Sequence, residues 1–400
     1  MMVLRPARAL PLLSFFLAAA LSLAGPAPHA RGGDRLELSL DLAGAGIYQS
    51  NPLAEGWLGL GRARGRLKAS LSSRLTLEAH YQLTLLLGDR IQATSQDPER
   101  EIDLRLTDLD PILASGEDLL LAQNLDRLWL NLRLPGLGVG LGRQVIGHGS
   151  GRFFNPTDIF GPLPLFLTYS DYKAGVDALR LTKPWGPDRE VELIGVANGQ
   201  DFSRGIAVAR LGQVFSGWNL SGYLGWSLGR PTLGLNLAGD ILSAGWYAEG
   251  LARLVDDRNL RLRTLLGLDY RFPFGLDVFV ELHHNGAGAG SPSGYQEVRE
   301  EPEFRAGEIF LVGRWYTALS LSYEFHPLVR GSLLWVQSLT DGSALLSPGL
   351  SWEVKEWLDL RLGALIGLGR QTGLREAGLD PGTEFGDFGR AAFLELKAAF

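Results

Sequence analysis

Apolar and polar residues alternate along most of this chain with a period of two. In "RLELSLDL", Leu36, Leu38, Leu40 and Leu42 share one face, while Arg35, Glu37, Ser39 and Asp41 share the other. "DRLWLNLRL" sets Leu128, Leu130, Leu132 and Leu134 against Arg127, Trp129, Asn131 and Arg133. The same division separates Leu260, Leu262, Leu266, Leu268 and Tyr270 from Arg261, Arg263, Asp269 and Arg271. It separates Leu358, Leu360, Leu362, Ile366 and Leu368 from Asp359 and Arg361. Successive side chains of a strand point to opposite faces, so the pattern predicts strands, and no amphipathic helix stands out. Eighteen such segments fit between residues 35 and 400, the faintest between 190 and 243.

Two architectures satisfy this alternation. A soluble sandwich turns the apolar faces into a core, whereas a membrane barrel turns them to lipid and lines its lumen with the polar ones. The segments run about ten to thirteen residues, enough for a tilted strand to cross a bilayer, while strands in globular proteins average about five or six. Their apolar face is mostly leucine, without the variety of sizes that a jigsaw core requires. The expected fold is therefore all-β, a transmembrane antiparallel up-and-down β-barrel of about 18 strands, with 16 as the alternative count.

The connections support this reading by their parity. Tight turns fall at Ser72, Pro135-Gly136, Trp185-Gly186-Pro187, Phe272 to Gly275 and His326-Pro327. Long connections fall at 88–121, 147–172, 287–306 and 370–390. Starting the first strand from the periplasm places all the long connections outside and these tight turns inside.

The termini and composition narrow the class further. "MMVLRPARALPLLSFFLAAALSLAGPAPHA" has basic Arg5 and Arg8, then an apolar run and small residues. It reads as a secretory signal peptide over 1–30, cleaved between 24 and 30, ahead of a single barrel domain over 31–400. No cysteine is present, so disulfides and thiolate metal sites drop out. Loss of Arg5 and Arg8 would take the formal charge from −6 to −8, too mild to imply a nucleic-acid partner. The last residues, "FLELKAAF", alternate and end on Phe400. This ending resembles the last strand of bacterial outer-membrane barrels, which implies that Phe400 is an assembly signal read by the barrel-assembly machinery.

One stretch resists the simple alternation: "GRQVIGHGSGRFFNPTDIFGPL", residues 142–163. It brings a histidine, a serine, an arginine and an aspartate together, which invites a catalytic reading. A nucleophile elbow needs glycines two residues either side of the serine, and Ser150 has His148 and Arg152 there. No lysine follows the glycines, so there is no P-loop. His148 has no second histidine at a metal-binding spacing, and no metal or cofactor is expected. The shape-giving reading fits better. Gly147, Gly149 and Gly151 permit a sharp bend, Asn155-Pro156 favours a turn, and Asp158 can accept backbone N–H groups. Phe153, Phe154 and Phe160 are too apolar to stand in water. The segment is expected to fold into the lumen and narrow it.

This stretch resembles a motif of porin-like outer-membrane β-barrels of Gram-negative bacteria. In that motif a strand ending Gly-Arg-Gln leads through a glycine-rich turn to Phe-Asn-Pro-x-Asp-x-Phe. Gly142, Arg143, Gln144, Gly149, Phe154, Asn155, Pro156, Asp158 and Phe160 match it, and His148 departs from it where Trp would be expected. The resemblance implies an outer-membrane channel or transporter and names no solute. Arg143 shares the parity of Leu137, Val139 and Leu141, which should face lipid. A charge at the bilayer midplane costs roughly 2–4 kcal/mol, falling towards zero at the interface. Either Arg143 sits at the rim or a bulge near Gly142 turns it inward, and the bulge is the favoured expectation.

The expected function is a passive, non-enzymatic channel for an unidentified small solute, embedded in outer-membrane lipid. Its constriction would be built from His148, Arg152, Phe153, Phe154, Asn155, Pro156, Asp158 and Phe160. Parity places Arg127, Arg133, Arg261, Arg263, Arg271, Arg361, Lys397, Asp269, Asp277, Glu281, Asp359 and Glu395 on the lumen side. With Arg35 added to the bases and Glu37, Asp41 and Glu192 to the acids, eight of each sign face inward, so mutual neutralisation is expected and no strong ion selectivity follows. Three alternatives stand beside it: a gated transporter for hydrophobic compounds, a barrel enzyme, and a secreted soluble β-protein. The first would need a constriction lined by Phe153, Phe154 and Phe160. The second would centre on His283, His284, Glu281 and Asp277, although the two histidines alternate faces.

Overall fold

The computed structural model describes residues 35–51, 54–88, 104–161, 172–199, 201–256, 259–375, 378–380 and 382–400. Among them, eighteen long strands close into one antiparallel barrel. The first six are β1 (Leu36–Asn51), β2 (Ala54–Ser70), β3 (Leu75–Gly88), β4 (Leu119–Leu134), β5 (Leu137–Gln144) and β6 (Val176–Pro184). There follow β7 (Arg189–Val196), β8 (Ile206–Phe215), β9 (Trp218–Ser227), β10 (Arg230–Ile241), β11 (Ala244–Asp256) and β12 (Asn259–Arg271). The last are β13 (Leu276–Asn285), β14 (Trp315–His326), β15 (Val329–Ser338), β16 (Ala344–Lys355), β17 (Leu358–Leu368) and β18 (Arg390–Ala399). Neighbours in sequence pair in space, and β18 closes the ring by pairing with both β17 and β1. The expected leader at 1–30 lies outside the described residues.

The wall is built on the alternation seen in the sequence. Leu38, Leu224 and Leu260 point outward and are 69%, 64% and 61% exposed. Their sequence neighbours on the other face meet charges or inward-folded chain. Each strand of the faint region between 190 and 243 is present, as β7 to β10. One end of the barrel carries only short turns, at 71–74, 135–136, 185–188, 216–217, 242–243, 272–275, 327–328 and 356–357. Gly136 and Gly217 sit at φ 72° and 83° in two-residue hairpins, a conformation that favours glycine. The other end carries the long connections, 89–118, 145–175, 286–314 and 369–389.

One boundary differs clearly from the sequence pattern. A strand is expected over 307–325, yet β14 begins at Trp315. Residues 307–314 belong to the connection because Glu308 is drawn into the barrel by wall arginines. That connection also holds α1 (Tyr295–Arg299) and α2 (Pro302–Arg305), helices too short to leave a 3.6-residue signature in the sequence.

Candidate pore constriction

Beyond Gln144 the chain turns into the barrel and runs along the inner face of β6 to β14. Two wall carboxylates hold it. Glu249 of β11 accepts the backbone N–H groups of Ser150, Gly151 (2.6 Å) and Thr157 (3.2 Å), with the Thr157 hydroxyl at 2.7 Å. Glu281 of β13 accepts those of Arg152, Phe153 (3.1 Å) and Phe154 (3.0 Å), with the Tyr247 hydroxyl at 2.8 Å. Buried carboxylates are costly unless hydrogen-bonded, and charge-assisted bonds of this kind are about twice as strong as neutral ones. The loop and the wall therefore satisfy each other.

Glycine is required for this approach. Gly149 adopts φ 111°, and a Cβ on Gly151 would strike the Phe154 carbonyl oxygen and the Leu265 side chain. Phe154, 2% exposed, stacks on His283 with ring centres 4.9 Å apart. Ile159 and Phe160 join Ile146, Val176, Ile194, Val208 and Tyr223 in a buried cluster between loop and wall. The Asn155 carbonyl accepts the Asp158 N–H (3.0 Å) around a buried Pro156, and Asp158 also pairs with Lys173. His148 is buried edge-on to Phe160, 3.7 Å from Glu192. Phe154 and Phe160 thus bind the loop to the wall, and Phe153 is only half-buried against the cluster that holds Phe154. Of this stretch, Arg152 projects: its guanidinium lies over the Phe279 ring at 3.6 Å, and its side chain is exposed.

The charged residues assigned to the lumen face divide into two groups by their partners. On β1 to β4 and β17 to β18 they neutralise one another across the wall. Lys68 meets Glu37 at 3.3 Å, Arg66 meets Asp41 at 2.8 Å, and Arg64 meets Asp126. Arg127 meets Asp126 at 3.6 Å, and Arg361 meets Glu395 at 3.6 Å. Lys397 stands 5.6 Å from the Tyr172 ring, and Asp359 lies opposite it in the strand register. Arg133 lies opposite Gly138 in the strand register, while Arg271 and Asp277 approach to 3.7 Å near the short-turn end. The second group holds inserted chain. Arg263 and Arg253 grip Glu308, and Arg261 grips Glu301 and Glu303. Glu281 belongs here too. Asp269 lines a cavity beneath the loop.

Arg143 corrects the favoured expectation. The β4–β5 register runs unshifted from Leu134↔Leu137 to Leu128↔Arg143, so no bulge reverses it. It sits at the long-connection rim, where its guanidinium donates to Asp177 (3.0 and 3.1 Å) and to the carbonyls of Leu125 (3.1 Å) and Thr107 (2.6 Å). His283 faces inward and His284 outward against Trp315, so they form no common centre.

Sequence reasoning missed Glu249, Arg253, Glu303, Glu308 and Tyr172. Glu249 could have been placed inward, since Tyr247, Glu249, Leu251 and Arg253 alternate, but nothing in the pattern says what it binds. The Tyr172 hydroxyl donates to Asp41 at 3.1 Å, and Arg64 covers its ring at 3.9 Å, so the returning limb of the loop reaches the opposite wall.

Comparison with solved structures agrees with this architecture. Acinetobacter baumannii OccAB3 aligns over 91% of this chain and 99% of its own, at 10% identity and a TM-score of 0.54. Pseudomonas aeruginosa OccD3 (OpdP) aligns over 91% and 90%, at 9% identity and a TM-score of 0.51. A Rhodopseudomonas blastica porin variant aligns over 91% and 100%, at 11% identity and a TM-score of 0.47, and the conclusion about fold rests on the first two. No protein-family model matches the sequence, and neither does any curated protein.

Proposed function

We propose that this chain is a porin-like channel of the bacterial outer membrane that passes small solutes passively, delivered there by a leader over 1–30. The observation that carries the reading is the segment 145–161, bound inside an eighteen-stranded wall by Glu249 and Glu281. A barrel of this size leaves an aqueous lumen, where eight strands would be filled by side chains. Its leucine-covered exterior suits lipid, and inserted chain then sets how much of the lumen stays open. Phe400, whose backbone pairs with Leu40 and whose ring stacks on Trp357 at 5.9 Å, is the proposed contact for the assembly machinery.

The test is single-channel conductance in planar bilayers. Replacing residues 150–160 with a short Gly-Ser linker removes the phenylalanines and the Asn155-Pro156 turn that fix the path of the loop, and conductance should rise. A variant that assembles as a heat-modifiable barrel yet conducts like the parent would place the constriction elsewhere.

A further inference from the structure

Beneath the inserted loop, towards the short-turn end, lies a cavity of about 490 Å³ lined by Arg152, Asp240, Gly245, Asp269 and Phe279 among others. The strand register puts four of these in a single row: Asp240 opposite Gly245, Gly245 opposite Asp269, and Asp269 opposite Phe279. Gly245 leaves a gap in the row that the Asp269 carboxylate leans across, since a Cβ there would strike both of its oxygens. The Asp269 carboxylate therefore stands about one interstrand step, roughly 5 Å, from Asp240. The ring of Phe279 lies two steps from Gly245, about 10 Å, and carries the Arg152 guanidinium. Among the described residues, Arg152, Asp240 and Asp269 have no ion-pair partner, whereas most charges elsewhere on the inner wall are paired.

We propose that this row is a binding subsite for a small zwitterion of the ω-amino acid type, a reading that rests on the channel function above. The ammonium sits on the lumen side of the Asp269 carboxylate that covers Gly245, within reach of Asp240, and the solute's carboxylate meets Arg152. A chain of several methylenes fits the separation better than an α-amino acid, whose two charges lie side by side. The flat guanidinium suits a carboxylate, which it can engage with two parallel hydrogen bonds. Phe279 beneath it fixes its position.

The experiment records current blockade through single channels of the full-length protein, using 6-aminohexanoate, with glycine, butylammonium and butanoate as comparisons. In the parent channel 6-aminohexanoate should show the longest dwell of the four. Arg152→Gln and the Asp240→Asn/Asp269→Asn pair should each shorten that dwell about tenfold, the scale of one charge-assisted hydrogen bond. Arg152→Gln should also leave butylammonium dwelling as long as 6-aminohexanoate. Glycine or butylammonium dwelling longest in the parent channel overturns the zwitterion assignment without reference to any variant. A conducting pore that ignores all four solutes overturns the subsite alone. A chain that forms no conducting pore overturns the channel reading and the subsite with it.

Discussion

Two of the connections inserted into the barrel are held by opposite chemistry. The segment 145–161 offers backbone N–H groups to the wall carboxylates Glu249 and Glu281. The segment 286–314 offers side-chain carboxylates, Glu301, Glu303 and Glu308, to the wall arginines Arg253, Arg261 and Arg263. The first anchor reads the path of the backbone and tolerates change in most loop side chains, provided the glycines stay. The second reads side-chain charge and fails when one member is lost. Both are shielded from water, so neither should respond strongly to salt.

The arginine anchor should give the largest effect. Glu308 accepts from Arg253 at 2.9 and 3.0 Å, from Arg263 at 3.1 Å and from Ser227 at 3.0 Å. Glu308→Gln would leave two buried guanidinium groups under-compensated, and breaking a buried pair costs about 3–5 kcal/mol. Hydrogen exchange across 286–314 should accelerate and the urea midpoint in vesicles should fall. Parent-like protection of these amides would show that the ion pairs do not hold the segment.

Glu281→Ala should come next, at roughly 2–3 kcal/mol. It withdraws the acceptor from three backbone donors, but the loop can offset part of the loss by moving them to water. Exchange should quicken at residues 152–154, and the open-channel current should become noisier. Glu281→Gln keeps a carbonyl acceptor and should fall between the two. If the Ala and Gln variants behave alike, the carboxylate is not the anchor.

The difference between the anchors also explains what the sequence could reveal. The wall was legible because a closed barrel with unlike inner and outer faces imposes a period of two on every strand, down to the inward face of Asp269 and the outward face of Leu362. The inward turn after Gln144 was legible because glycines alternate there and the phenylalanines need cover. The anchors were not. An alternating pattern places Glu249 and Arg253 on the inner face without saying which distant segment reaches them. Residues 307–314 look like strand in the sequence, and their departure from it depends on ion pairs made across the barrel. Arg143 needed only the register, which parity alone does not supply.

An effect that follows pH and needs no substitution should appear at the third insertion, 369–389. Glu384 accepts from the Tyr316 hydroxyl and the Val312 N–H (2.7 Å), and its own N–H donates to Asp341, which also accepts from the Tyr295 hydroxyl. Burial pushes the Glu384 carboxyl up from 4.5 to about 7, with no cation among these partners. The folded state then holds a proton that the unfolded chain has already released. The stabilisation is therefore complete below about pH 4.5 and is lost as pH rises to about 7, with no further change above. The urea midpoint should fall across that window, and Glu384→Gln should flatten the profile. A midpoint that rises over the same window would contradict the sign.

The smallest effect should come from Ser150, and it separates backbone anchoring from side-chain chemistry. Ser150 supplies its N–H to Glu249 and borders the cavity below the loop. Ser150→Ala keeps that N–H, so stability should move by less than about 0.5 kcal/mol. Conductance should stay at the parent level, as should hydrolysis of a test ester, for which no activity is expected. Ser150→Pro removes the donor and should loosen the loop in the direction of Glu281→Ala, though less far because Gly151 and Thr157 still reach Glu249. An alanine variant that disturbs the channel as much as the proline variant would mean that the hydroxyl contributes. An alanine variant that abolished a measured esterase activity would restore the serine reading of this stretch, with His148 and Glu192 as the groups to examine next.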